Sequence, residues 1–229
     1  KTRIILPDTD GISEAGAILR SGGLVAFPTE TVYGLGANAL DAVATKRIYE
    51  AKDRPSDNPM IVHVASIEML NGVASGVTDA QKAIMSKLWP GPITFVLRKN
   101  PAVPDVTTGG LDTVAVRWPS RREAAEIIEA AGVPIAAPSA NLSGKPSPTT
   151  FEDVAEDMDG RIDAIVKGER TAIGIESTVL DLTSEVPTIL RPGFITKSQI
   201  EEAACCEVKY DPSLFKKPGA DDFHPKSPG

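Results

Sequence analysis

The sequence predicts an α/β fold: a twisted, mixed β-sheet flanked by helices. Short apolar runs alternate with stretches of helical periodicity along most of the chain. Some of these runs, Met60–Ala65 above all, are apolar on both faces and so belong to the buried middle of a sheet. Other strand candidates adjoin with no helix between them, as do Ile93–Arg98 and Thr113–Trp118, which disfavours an all-parallel sheet.

In chain order, Arg3–Leu6 reads as a short strand. Gly11–Ser21 reads as a helix, with Ile12, Ala15, Ile18 and Leu19 on one stripe and Gly22-Gly23 as its stop. Leu24–Phe27 is a buried strand. Asp41 can cap a helix through Ala51 that turns Ala44, Ile48 and Ala51 inward. After the Met60–Ala65 strand come helices near Ile67–Val73 and Asp79–Leu88, then the two adjoining strands. Ser120 opens a helix to Ala130, Ile135–Ala137 is a buried strand, and Asn141–Thr149 is a polar loop. Phe151–Met158 is helical and Ala164–Lys167 extended; Ser177–Leu182 and Thr188–Arg191 are late strands, and Lys197–Ala204 is the last helix.

With 229 residues, 41% hydrophobic and 24% charged, the chain can bury a substantial core. It contains no run of eighteen apolar residues, so no membrane span is expected. A net charge of −7 disfavours gripping nucleic acid over a broad basic face. Cys205 and Cys206 are the only cysteines and are adjacent, which excludes a disulfide framework and points to a reducing cytoplasm. His63 and His224 are the only histidines, so no zinc site of usual spacing, and no resident metal site, is expected.

The densest chemistry lies in Pro28-Thr29-Glu30-Thr31-Val32-Tyr33-Gly34-Leu35-Gly36, directly after a buried strand, where α/β sheets place ligands. A turn needs Gly, Pro, Asn or Asp, not two threonines, a glutamate and a tyrosine. Lys52-Asp53-Arg54-Pro55-Ser56-Asp57-Asn58-Pro59 sets two cations beside proline-stiffened backbone, which suits phosphate. There is no Walker loop, so this segment and the hydroxyl-rich Pro138–Ser147 loop, with Ser139 and Ser147, must share triphosphate recognition. Arg117 stands in an apolar strand and must either form a structural ion pair or grip a substrate carboxylate. His63 is either a satisfied core residue or a polar contact at a pocket floor. Neither a Ser-His-Asp order nor HExxH or CxxC occurs.

Together, Pro28–Gly36, Lys52-Asp53-Arg54, Leu88–Pro92, Val114–Pro119, Pro138–Gly144, Glu176–Val179 and Arg191-Pro192-Gly193 resemble the YrdC family, the L-threonylcarbamoyladenylate synthases. The resemblance implies a twisted sheet around a large concave cavity, and condensation of L-threonine, bicarbonate and ATP to threonylcarbamoyl-AMP and pyrophosphate. It implies Mg²⁺ accompanying ATP and a product passed to the machinery that modifies tRNA. By motif, Thr31, His63, Arg117, Ala137 and Ser177 would line the threonine site. Arg54, Asn58, Thr113, Ser139, Ser147 and Arg191 would contact the nucleotide, with Lys52 a phosphate neighbour and Lys52 and Arg54 the catalytic cations. A carbamoyltransferase-type module and an RNA-binding module are the alternative readings.

Residues 1–206 are expected to form the catalytic domain. Residues 207–229 are expected to form a Pro-rich linker leading to a further domain. The stretch from Lys209 is also expected to lie as a lid across the mouth of the site, anchored by Tyr210, Leu214 and Phe223.

Overall fold

A computed structural model describes residues 1–215. The sheet contains β1 (Arg3–Ile5), β2 (Val25–Pro28), β3 (Tyr33–Asn38), β4 (Ile61–His63), β5 (Ile93–Arg98), β6 (Thr113–Arg117), β7 (Ile135–Ala136), β8 (Ala164–Val166), β9 (Thr178–Asp181), β10 (Thr188–Arg191) and β11 (Lys209–Tyr210). Their order across the sheet is β1-β8-β2-β3-β7-β4-β6-β5-β9-β10-β11. Strands β1 and β8, β8 and β2, β4 and β6, β5 and β9, and β10 and β11 pair parallel; the remaining neighbours pair antiparallel, so the sheet is mixed as expected.

The helices are α1 (Thr9–Arg20), α2 (Ala42–Lys52), α3 (Ile67–Val73), α4 (Asp79–Leu88), α5 (Arg122–Ala131), α6 (Phe151–Met158) and α7 (Lys197–Ala204). Their starts are written in the sequence. Asp8, Asp41, Ser66, Thr78, Thr150 and Thr196 each accept a first-turn N–H, and Thr78 and Thr196 complete capping boxes with Gln81 and Gln199. Among the described residues no helix is long and apolar enough to cross a membrane.

The two sheet faces are covered unequally, and this decides where a site can be. One face packs Ala26, Leu35, Val62, Val114, Val116, Phe95 and Leu180 against α2, α3, α4, α6 and α7. On the other face α1 and α5 cover only the end around β1, β8 and β2, where Ile12, Leu19, Ile127 and Ile128 meet Val25, Phe27 and Val166. Further along that second face the apolar cluster shrinks to Ile61, Val96, Ala115 and Val179. Strand residues alternate between the faces, so the same strands carry core on one side and a cleft on the other.

The structure differs from the sequence expectation in two elements. Part of Pro28–Gly36, to which the sequence assigned no element, is strand: Tyr33–Asn38 pairs antiparallel with β2 and continues to β7. Its two glycines hide it from propensity, yet close packing requires the second. A Cβ on Gly36 would stand 2.7 Å from the Phe27 ring and 2.9 Å from Ile135. The folded body also runs past residue 206. Val208 is buried, and Lys209–Tyr210 pairs with β10 as an edge strand in place of a free linker. Tyr210 meets Phe215 edge-on at 5.9 Å, Leu214 is half exposed, and Phe223 lies outside the described residues with most of the expected lid.

Gly36→Ala should lower stability by about 1–3 kcal/mol, because the added methyl enters a packed core. Urea unfolding monitored by circular dichroism checks this. An unchanged midpoint would mean that Phe27 and Ile135 can both move aside.

Candidate active site

Strand register assembles the site. His63 on β4 and Thr94 on β5 are both partners of Arg117 on β6, so the three stand in one transverse row on the open face. Ser177, just before β9, extends the row: its hydroxyl lies 2.7 Å from that of Thr94. Arg191 at the end of β10 closes it, with Nε donating to the Ser177 carbonyl at 3.1 Å and Nη2 to the Ser177 hydroxyl at 3.3 Å. The Arg191-Pro192-Gly193 corner can lie this close because residue 193 has no side chain; a Cβ there would be 2.5 Å from the Thr178 nitrogen. One step along the strands is a parallel apolar row of Ile61, Ala115 and Val96.

A cleft lies over this floor, lined by Thr31, Val32, Ile61, His63, Arg117, Ala137, Pro138, Ser139, Glu176, Ser177 and Arg191. Of the expected threonine-site residues, Thr31, His63, Arg117, Ala137 and Ser177 all line it. Of the expected nucleotide residues, Ser139 and Arg191 do. Ser147 borders it through Glu176, whose Oε1 accepts from the Ser147 hydroxyl at 2.9 Å while Oε2 pairs with Arg191 at 2.8 Å. Thr113 stands farther along β6 in a second hollow, with Pro59, Val96 and Ala115. Arg54 donates to the carbonyls of Asn58 at 3.3 Å and Pro59 at 2.8 Å, close enough to Glu176 and Arg191 to feel their charge. Asn58 offers its backbone carbonyl to Tyr49 and Arg54, and its side-chain oxygen is buried without a partner among the described residues.

Lys52 does not line the cleft. Its side chain is buried beneath the Pro138–Ser147 loop, where Nζ donates to the carbonyls of Ser139 and, at 2.8 Å, Asn141. Burial lowers its pKa to about 7. This geometry makes Lys52 a strut for the loop that carries Ser139.

Arg117 satisfies both of its sequence readings at once. It is buried and ion-paired with Glu30, its Nη1 donates to the Thr31 hydroxyl at 2.8 Å, and it still lines the cleft. Burial disfavours its charge and Glu30 restores it. Sequence reasoning did not assign the roles of Glu30 and Glu176, although both lie inside quoted motifs.

His63 is a pocket-floor residue held as a neutral ring: Nδ1 lies 3.2 Å from the Ile61 carbonyl. Burial first, and the Arg117 charge second, push its pKa down from 6.5 to about 3. Among the described residues no group of three or more His, Cys, Asp and Glu could hold a metal.

The depressed His63 value has a sign. Between pH 6.5 and about 3 the unfolded chain binds a proton that the native ring refuses. His63 therefore contributes stability that is present above pH 6.5 and lost as pH falls toward 3, at roughly 1.4 kcal/mol per pH unit. His63→Gln should flatten this part of the stability–pH curve, measured by urea unfolding in a pH series; parallel curves would contradict it.

The profile of the Sua5/YciO/YrdC family, described as "Telomere recombination", matches residues 17–193. The threonylcarbamoyl-AMP synthase of Pyrococcus abyssi (strain GE5 / Orsay) is 53% identical over 203 residues, 89% of this chain and 59% of that protein. The threonylcarbamoyl-AMP synthase of Bacillus subtilis (strain 168) is 55% identical over 191 residues, 83% of this chain and 55% of that protein. The chain thus spans somewhat over half the length of these relatives. The crystal structure of P. abyssi Sua5 complexed with L-threonine superposes with a TM-score of 0.93 at 50% identity, covering 100% of this chain and 67% of that one. In sequence and in fold, this chain belongs to the Sua5/YciO/YrdC family.

Proposed function

We propose that this chain carries the active site of an L-threonylcarbamoyladenylate synthase. L-Threonine, bicarbonate and ATP are condensed to threonylcarbamoyl-AMP, pyrophosphate and water, and the product passes to the tRNA threonylcarbamoyl-transfer machinery. The observation that carries this reading is the transverse polar row beside an apolar one. A carboxylate-binding cation, a neutral imidazole and hydroxyls stand at one end, and Arg191 at the other, with Arg54 in its field. The names of the relatives support it.

In this reading Arg117 takes the threonine carboxylate. The uncharged His63 adds no second cation against the substrate amine. The apolar side chains of Ile61 and Ala137 receive the threonine methyl. The amine nitrogen attacks the carbon of bicarbonate or CO₂, and the resulting carbamate oxygen attacks the α-phosphorus as pyrophosphate leaves. No protein nucleophile is required, so the enzyme's task is positioning and charge neutralisation. Arg54, Arg191, Ser139 and Ser147 surround the phosphates, and Asn58 and Thr113 lie on the side toward which the nucleoside extends. Mg²⁺ arriving on the triphosphate needs only one or two carboxylates, and Glu176 is the one among the lining residues; the metal would supply further charge neutralisation. The exposed, free Cys205 and Cys206 suit a reducing cytoplasm.

The deciding experiment is pyrophosphate release from ATP that depends on both threonine and bicarbonate; release independent of either amino acid or bicarbonate would sink the assignment. Arg117→Ala should weaken threonine tenfold or more, from about 1.5–3 kcal/mol lost, while sparing ATP. Calorimetry with each ligand measures both. Serine should remain a poor substrate rather than an excluded one, since a methyl is worth about 1–3 kcal/mol. Conversely, Arg54→Ala or Arg191→Ala should weaken ATP more than threonine, and the opposite order would overturn the phosphate assignment.

A further inference from the structure

Glu30 lies in the turn between β2 and β3, and its carboxylate is spoken for on both oxygens. One oxygen pairs with Arg117 Nη2; the other accepts from the Ser120 backbone N–H at 2.7 Å and the Ser120 hydroxyl at 2.6 Å. Thr31, its near neighbour, holds Arg117 Nη1 at 2.8 Å. A single turn therefore fixes the plane of the guanidinium from two sides. The turn is itself clamped. The Thr29 hydroxyl donates to the Val32 carbonyl at 2.6 Å, and the N–H groups of Ile173 and Gly174 donate to the carbonyls of Glu30 and Thr31 at 3.0 Å. Arg117 Nε stays buried with no partner among the described residues.

Charge adds a second consequence. Arg117 and Arg191 serve one cleft, yet the proposed reaction places a carboxylate on one and phosphates on the other. An unpaired buried arginine is the stronger trap for a polyphosphate. Arg191 is paired as well, with Glu176, but that carboxylate itself lines the cleft with its side chain 35% exposed, whereas the Glu30 side chain is 11% exposed, does not line the cleft and cancels the charge of Arg117 from behind without covering it.

Resting on the synthase reading above, we infer that Glu30 is the positioning residue that aims Arg117 and sets its selectivity. It holds the guanidinium for the carboxylate of a zwitterionic amino acid and makes the same spot poor for pyrophosphate or triphosphate. Glu30 touches no substrate; it acts through Arg117.

Glu30→Gln tests this in the intact protein. The amide replaces one acceptor oxygen with a donor, so either Arg117 or Ser120 loses its partner, and the neutralising charge disappears. Threonine Kd by calorimetry should rise at least tenfold, with ATP Kd changed less than threefold. Pyrophosphate, competitive with ATP in the unaltered enzyme, should become competitive with threonine as well. Glu30→Asp, which keeps the charge, should restore the exclusion of pyrophosphate while leaving threonine weaker. A folded Glu30→Gln protein with unchanged threonine affinity and no new competition would overturn the inference. If Glu30→Gln does not fold, Ser120→Ala decides, because it keeps both charges and removes one of Glu30's hydrogen bonds. It should weaken threonine about two- to fivefold and leave ATP unaffected; equal effects on the two ligands would count against the proposal. An unaltered protein that binds no threonine would instead refute the synthase reading itself.

Discussion

The structure depends on the unequal covering of its sheet. A strand buried on both faces must be apolar on both, as Val25–Phe27 is between α1 and α5 on one side and the main core on the other. Where no helix covers the second face, alternate residues on β4, β6 and β5 are released from the core, and polar groups become tolerable there. His63, Arg117 and Thr94 occupy those positions, while Val62, Val116 and Phe95 beside them in sequence belong to the core. The site thus leaves the main core intact, although His63, Thr94 and Arg117 are themselves buried and must be satisfied by polar partners.

Its expense is electrostatic. Four cations surround or support the cleft, and each is met by protein acceptors: Arg117 by Glu30, Arg191 by Glu176, Arg54 by two backbone carbonyls, Lys52 by two others. Burying such groups alone would cost several kcal/mol each. Ligand binding here is consequently an exchange of partners rather than the filling of unsatisfied charge.

Much of this was legible in the sequence, for identifiable reasons. Arg117 and His63 stand out because a polar residue in an apolar strand demands an explanation, and Thr31, Ser177 and Arg191 lie in dense motifs at strand ends. Helix starts were readable from their caps. Strand β3 was missed because Gly34 and Gly36 lower strand propensity, and the reason for Gly36 lies in tertiary contacts with Phe27 and with Ile135, the latter 99 residues away. Strand β11 was missed because two exposed residues carry no periodicity. The partner of Arg117 lay 87 residues away, and no local pattern reports a pairing set by fold topology. The path of Lys52 beneath the Pro138–Ser147 loop was not legible, because sequence shows charge, not the direction in which the side chain travels.

The transverse row has an evolutionary consequence. Its members sit on separate strands, and each can be exchanged without altering the residue behind it in the core. Reactivity and stability are therefore written in alternate letters of the same strands. Selection can redraft the chemistry of this face, one crossing position and its polar partners at a time, while the core residues behind it stay in place.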